Sequence, residues 1–466
     1  MAAMFAKAVR LFPLCFLAAL SVRAESIPEM FAARERTLVS IEYYTQREID
    51  RQSGEGIGML VSPDGIVVCL PHVFSDWIPP DRFKDIRVYT SGNPVAEGFP
   101  ADYLGQDWVN GWHYIKIRDM EAAGKYLDPI NIFDTGRPEL GDTVWGVCMT
   151  GGDLDYISYY REGKLSTIQP LPLDTGFATS DVAVPGGPVF LADGRFAGWA
   201  GRSLPMERDL WVGQEYFRAN IRNPDESLMF LLAEPFFQEV LKRVPRDPLY
   251  QERPWIGISN TQPLDKETAR FMGLSGQGAI IISEVLEETP AARAGLEDRD
   301  LLVKINGKPL PRLKPDSVLQ MYFERELLTS KIGEPIGLTV LRGDEEVDLT
   351  VVPEASPTLM KEARLHYFDQ IGLTIRQYIM ADALRLREDH RDIRGVMINF
   401  IRPNSLAASG GALPGDWVQE VGGQPVAGFE EARERIQALL DDDAVEEVVL
   451  LVKRGNETSV LRIRKK

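Results

Sequence analysis

The feature that most narrows what this chain can fold into is an internal repeat. Thr289-Pro290-Ala291-Ala292-Arg293-Ala294-Gly295 is followed by Asp300-Leu301-Leu302 and then Asn306-Gly307-Lys308-Pro309. Further on, Ser405-Leu406-Ala407-Ala408 is followed by Gly415-Asp416-Trp417-Val418 and Gly422-Gly423-Gln424-Pro425. Ala407, Asp416 and Pro425 each lie 116 residues beyond Ala291, Asp300 and Pro309. A constant offset over three separate motifs marks two copies of one unit of about 100 residues, an ordinary domain size. Each copy is expected to begin with a strand (255–259; 371–375) and a second strand (279–285; 395–401). A short Ala-Ala helical turn and a strand before the Gly-x-Pro turn come next. A longer helix (317–328; 429–440) precedes a closing pair of strands (336–341 with 347–352; 445–452 with 459–463). The acidic run Asp441-Asp442-Asp443 reads as a solvated helix end.

The front half follows another pattern. Short β-like runs recur with turns between them, at 58–61, 66–69, 114–117, 143–148, 188–191 and 195–199, which predicts an all-β barrel or sandwich. A strand at 228–233 and an amphipathic helix after Pro235, carrying Phe236, Phe237, Val240, Leu241 and Val244, close it. The proline-rich stretch 245–254 reads as a linker. At the start, Lys7 and Arg10 precede a short apolar run from Leu11 to Leu20, and Val22-Arg23-Ala24 offers a cleavage point. That pattern is expected for an export signal over 1–24; the run is too short to span a bilayer.

Charge limits the partners. The chain has 69 Asp+Glu against 52 Lys+Arg, a net −17, and loss of Lys7, Arg10 and Arg23 with a leader would make it more acidic still. Such a surface repels phosphate backbones and anionic lipid, so no nucleic acid is expected. The four His and three Cys show no metal-ligand spacing, and no cofactor or metal is expected. Cys69 and Cys148 could pair in an oxidising compartment or stand as two separate buried thiols.

Taken in order, these segments resemble the HtrA/DegP family of exported serine proteases. Gly56-Ile57-Gly58-Met59-Leu60-Val61-Ser62-Pro63-Asp64-Gly65-Ile66-Val67 is similar to the family's first barrel hairpin, and it runs into Leu70-Pro71-His72-Val73, where the family carries its catalytic histidine. Gly141-Asp142-Thr143-Val144 and Gly186-Gly187-Pro188-Val189, with Asp193-Gly194-Arg195-Phe196-Ala197-Gly198 after it, match further family segments. The resemblance implies a mainly β chain: a trypsin-like double β-barrel (25–245) followed by two α+β PDZ domains (254–356 and 365–466). It also implies a periplasmic or secreted location and a possible homotrimer.

The chemistry departs from the family. A serine protease needs a nucleophilic hydroxyl, a His to take its proton and a carboxylate to orient that His. Pro185 stands where the family has its serine, and Gly111 where it has its aspartate, leaving His72, expected as a partly buried imidazole bonded to a neighbour. Proline lacks both the hydroxyl and the backbone N–H that helps form an oxyanion hole. Asp107 lies near Gly111, and Ser180 and Asp181 lie upstream of Pro185; a re-threaded loop could bring Ser180 to His72 and give an active endopeptidase with a relocated nucleophile. His113, between Trp112 and Tyr114, reads as a strand residue. The PDZ resemblance implies binding of extended C-terminal or unfolded segments as an added strand, with a nest of backbone N–H groups at Trp255-Ile256-Gly257-Ile258 and Gln370-Ile371-Gly372-Leu373. The expected function is that of a pseudoprotease scaffold or quality-control factor, with the active protease or a regulatory subunit of an active relative as alternatives.

Overall fold

The computed structural model describes residues 26–465 apart from 93, 172, 202–204, 213–214, 223–228, 235–236, 250–251 and 275, and only the backbone of 205–212 and 215–222. The expected leader, Leu228 and Phe236 lie outside the described residues.

A short helix α1 (Ile27–Arg34) leads into six strands: β1 (Leu38–Gln46), β2 (Arg51–Leu60), β3 (Ile66–Cys69), β4 (Phe83–Tyr89), β5 (Phe99–Asp107) and β6 (Trp112–Ile117). They close into a barrel in the order β1-β2-β3-β6-β5-β4. Inward residues such as Val39, Ile41, Leu60, Val67, Cys69, Ile115 and Ile117 fill it. After α2 (Met120–Ala123), the strands β7 (Thr143–Met149), β8 (Ser158–Pro170), β9 (Asp174–Ala178), β10 (Pro188–Leu191), β11 (Phe196–Ala200) and, beyond a hairpin of β12 (Pro205–Val212) and β13 (Glu215–Arg222), β14 (Met229–Leu232) close a second barrel. Each front-half run expected from turn spacing is a strand of one of these barrels. The junction between the barrels is the largest apolar cluster, with Trp112, Tyr114, Trp145, Trp199 and Phe237 at its centre. Cys69 and Cys148 are both buried and unpaired, and burial pushes both thiols up.

The helix expected after Pro235 is instead a 3-10 turn, Phe237–Arg243. Phe237 and Val240 are both fully buried, and their spacing of three suits three residues per turn. Tyr114 Oη donates to the Val240 carbonyl at 3.1 Å, which fixes the turn against the first barrel.

The two repeats share one plan from the glycine turn onward. The first contains β15 (Pro254–Trp255), β16 (Ile258–Pro263), α3 (Lys266–Phe271), β17 (Ile280–Val285), α4 (Pro290–Arg293), β18 (Leu301–Ile305), β19 (Lys308–Pro309), α5 (Ser317–Thr329), β20 (Ile336–Arg342), β21 (Glu345–Val351) and β22 (Glu354–Ala355). Its main sheet runs β16-β17-β18-β20-β21, while β15 pairs only with β22. The second contains β23 (Leu365–Phe368), β24 (Leu373–Gln377), α6 (Met380–Leu386), β25 (Val396–Ile401), α7 (Leu406–Ser409), β26 (Trp417–Val421), β27 (Gln424–Pro425), α8 (Phe429–Asp441), β28 (Glu447–Arg454) and β29 (Glu457–Arg464), in the order β23-β24-β25-β26-β28-β29. The Asp residues at the 116 offset do the same work in each copy. Asp300 is 1% exposed, caps the Glu297 N–H and takes both forks of Arg342, whose guanidinium also donates to the Gly295 carbonyl. Asp416, also 1% exposed, does this with the Leu413 N–H, Arg454 and the Gly411 carbonyl.

Two expected strands are displaced. Gly257 (φ +88) and Gly372 (φ +69) turn the chain, so 255–259 splits into β15 and β16, and 371–375 begins as a loop with its strand at 373–377. No helix among the described residues is long and apolar enough to cross a membrane.

Candidate functional site

The segments of His72, Gly111 and Pro185 all border the apolar junction between the barrels, through Leu70, Trp112 and Trp199. His72 follows β3 and is exposed, not partly buried as expected, because Pro71-His72 turns outward while Val73 and Phe74 plug the first barrel. Gly111 ends the β5–β6 loop; its N–H donates to the Asp107 carbonyl at 2.7 Å, and its φ of +72 is one that L side chains rarely adopt. A Cβ there would stand 3.1 Å from Pro71 Cγ, so position 111 faces the His72 segment. Trp112 packs edge-on against Trp199 (5.1 Å), whose indole donates to the Gly186 carbonyl at 2.7 Å. That contact ties the loop of Pro185 to the other side of the junction.

Pro185 offers no hydroxyl and no N–H. The next two amides point elsewhere: Gly186 N–H to Ala200 O and Gly187 N–H to Val184 O, both at 2.8 Å. Ser180 is exposed, and its hydroxyl donates to the Glu162 carbonyl at 2.9 Å. Asp107 is buried; burial raises its pKa, and its carboxylate is held by the Val109 N–H, the Asn110 amide and, at 3.8 Å, Arg243.

Sequence reasoning missed a polar chain beside this loop. His113 is 1% exposed, with Nδ1 2.7 Å from Tyr103 Oη and Nε2 3.4 Å from Asp76 Oδ1. Gln106 Nε2 donates to Asp76 (2.7 Å), and Gln106 Oε1 accepts from Lys361 Nζ (3.0 Å), a residue between the two repeats. Lys361 lies 3.7 Å above the Trp108 ring and Arg253 4.2 Å from it; Arg325 of α5 donates to Asn110 at 2.6 Å. Burial pushes the Lys361 ammonium down to about 8. The loop preceding the aspartate position is thus held by three cations from the repeat half. No local motif signals this, because the partners lie far away in sequence.

The two segments where nests are expected share one pattern of carbonyl hydrogen bonds. In the first, Ile256 O accepts from Ala291 N–H (2.8 Å) and Gly257 O from Leu286 N–H (2.9 Å). In the second, Ile371 O accepts from Ala407 N–H (3.0 Å) and Gly372 O from Arg402 N–H (2.8 Å). A side chain at Gly257 would overlap Thr289, and one at Gly372 would overlap Ser405, the residues that cap α4 and α7. Ile256, Ile371 and Leu373 are buried, Trp255 and Ile258 are half-buried, and Gln370 is exposed. Beyond the first nest, β16 is an edge strand facing α5, and Gln320 of α5 reaches the Thr261 carbonyl at 2.6 Å.

Comparison with known proteins finds similarity over most of the chain. The PDZ domain family matches residues 281–322. Curated relatives named probable periplasmic serine endoprotease DegP-like are similar over most of the chain. That of Chlamydia pneumoniae is 22% identical over 414 residues, 87% of this chain and 75% of the relative. That of Chlamydia trachomatis serovar D is 26% identical over 419 residues, 88% and 74%. Among solved structures, the HtrA-type protease AlgW with decapeptide aligns at 16% identity and a TM-score of 0.48, covering 72% of this chain and all of that one. The serine endoprotease from Yersinia pestis aligns at 18% and 0.46, covering 71% and 98%. The chain is thus similar over most of its length to DegP-like serine endoproteases, and residues 281–322 match the PDZ domain family.

Proposed function

We propose that this chain is an exported, catalytically silent relative of the DegP-like endoproteases that binds extended protein segments, C-termini above all, through the groove of its first repeat. Pro185 carries the reading: one residue removes both the nucleophile and an oxyanion donor, and Gly111 stands where the resemblance implies the aspartate. The open edge of β16 beside the Gly257 nest supports the binding half, since strand addition needs unpaired edge groups next to an anion-accepting turn. With it goes a division into a barrel domain (25–245) and two PDZ domains (254–356, 365–466), and placement in the periplasm, where the relatives' names put them.

An endopeptidase with a relocated nucleophile would need Ser180 to leave the Glu162 carbonyl and reach His72. Two measurements on the full chain test the proposal: labelling by a fluorophosphonate serine probe, and titration with a library of decapeptides bearing free C-termini. Binding without labelling is the expected result. Labelling abolished by Ser180→Ala, or no binding by any peptide, would sink it.

A further inference from the structure

We infer that the groove of the second repeat is a peptide site whose resident ligand is the chain's own segment 364–368, with Phe368 in the place of a bound peptide's C-terminal residue. The inference rests on the reading of these grooves as peptide sites.

The outer edge of β24, which corresponds to the open edge of β16, is covered. β23 lies antiparallel along it, with Leu365 opposite Arg376 and Phe368 opposite Leu373, while β25 takes the other edge. Gln377 N–H donates to the Arg364 carbonyl at 2.9 Å. In an antiparallel ladder that bond sets the alternation, so residues 366 and 368 also present their backbone groups to β24. The strand runs toward the nest, as an added peptide would, and ends there: Gly372 N–H donates to the Phe368 carbonyl at 2.9 Å. The Phe368 ring is 2% exposed and belongs to the core formed with Ile371, Leu373 and Ile436 of α8. At the other end Arg364 pairs with Glu430 (2.9 Å) and lies 5.1 Å from the Phe429 ring, both in the first turn of α8. β23 therefore occupies the slot between β24 and α8.

The first repeat is built otherwise. Its chain before the nest leaves the groove, since Trp255 pairs with Glu354 of β22. Among the described residues no carbonyl takes the Gly257 N–H as Phe368 takes that of Gly372. A competitor for the second groove must be an extended segment ending in an aromatic or large apolar residue with a free carboxylate, which gives the Gly372 N–H a charged acceptor. A tethered ligand acts at an effective concentration on the order of mM, so a peptide of about μM affinity for the open groove is weakened roughly 1000-fold.

The test uses the full chain and a labelled decapeptide copying residues 359–368 with a free C-terminal carboxylate. Gly257→Val closes the first groove, and His366→Pro removes a ladder donor and loosens β23. The Gly257→Val chain is expected to bind no probe at μM concentrations, and the Gly257→Val/His366→Pro chain one probe per chain, at least 100-fold tighter. Binding of one probe per chain by Gly257→Val alone overturns the inference. So does no binding by the double variant while hydrogen exchange shows β25 and β28 still protected. If the double variant unfolds, exchange on the unaltered chain decides: His366 and Phe368 amides protected like those of β25 support it, and exchange at loop rates refutes it. Absence of any peptide binding to the first groove would sink the proposed function but leave these arms intact.

Discussion

Returning the nucleophile alone should not return activity. Pro185→Ser supplies a hydroxyl and an N–H at that position, at a stability change of about 1 kcal/mol from the freer unfolded chain. It leaves Gly111 at the position where the resemblance implies the aspartate, and Asp107 is engaged by its own loop and Arg243. Loss of the orienting carboxylate from an intact triad lowers turnover by about 10⁴. Pro185→Ser is therefore expected to lie at least about 10⁴-fold below an active DegP-type relative. Gly111→Asp does not simply repair this. At φ +72 an L-residue costs about 1–2 kcal/mol, and its Cβ meets Pro71 Cγ at 3.1 Å in the segment that carries His72. The pair Gly111→Asp/Pro185→Ser should exceed Pro185→Ser while staying below the relative, because restoring one partner disturbs the other. The assays are hydrolysis of unfolded casein and fluorophosphonate labelling. Casein hydrolysis by the unaltered chain that disappears with Ser180→Ala would refute the reasoning, as would Pro185→Ser alone reaching the relative's rate.

Other perturbations test the architecture. Trp108→Ala removes the ring between Lys361 and Arg253, at about 0.5–2 kcal/mol for each cation, and should free the 107–111 loop for limited proteolysis while Trp108→Phe does so less. The Lys361 pKa is depressed to about 8 from 10.5, so between those values the unfolded chain binds more protons; stability should rise with pH from 8 to 10.5, and Lys361→Met should flatten that slope in urea titrations. Asp300→Ala and Asp416→Ala each strand a half-exposed Arg and an N–H; both should cost about 2–3 kcal/mol in denaturant midpoints, and a near-zero value for either would contradict the shared lock. Gly187→Ala should destabilise by about 1–3 kcal/mol, since its methyl would come within 2.5 Å of the Val147 carbonyl, whereas Pro185→Ala should change stability by less than about 1 kcal/mol; the reverse order would be a failure.

The parts legible in the sequence are those whose cause is local. Short β-like runs between turns placed β3, β7, β10 and β11, and the 116-residue offset foretold two units because the same buried Asp caps the same turn in each. The helix after Pro235 was misread because Phe237 and Val240 fit either a four-residue or a three-residue turn, and the barrel junction selects the tighter one. β23 is only four residues long, and its register is fixed by pairing with β24, a cause that no local pattern shows. The Trp108 clamp joins residues 253, 325 and 361 to a loop at 107–110, and no local pattern encodes such distances.

The segment around Pro185 is held by packing. Its glycines work on the barrel rather than on a substrate. Gly187 leaves room for the Val147 carbonyl, Gly186 turns at φ +92 against Ile57, and the Gly186 carbonyl accepts the Trp199 indole N–H that anchors the aromatic junction. A side chain at either glycine collides with backbone, so the motif is held by packing whether or not a serine precedes it. Position 185 carries no such load: it is half-buried, and its neighbours' amides already have partners inside the barrel. The fold around position 185 therefore rests on Gly186, Gly187 and Trp199, and the residue at 185 can vary without disturbing it.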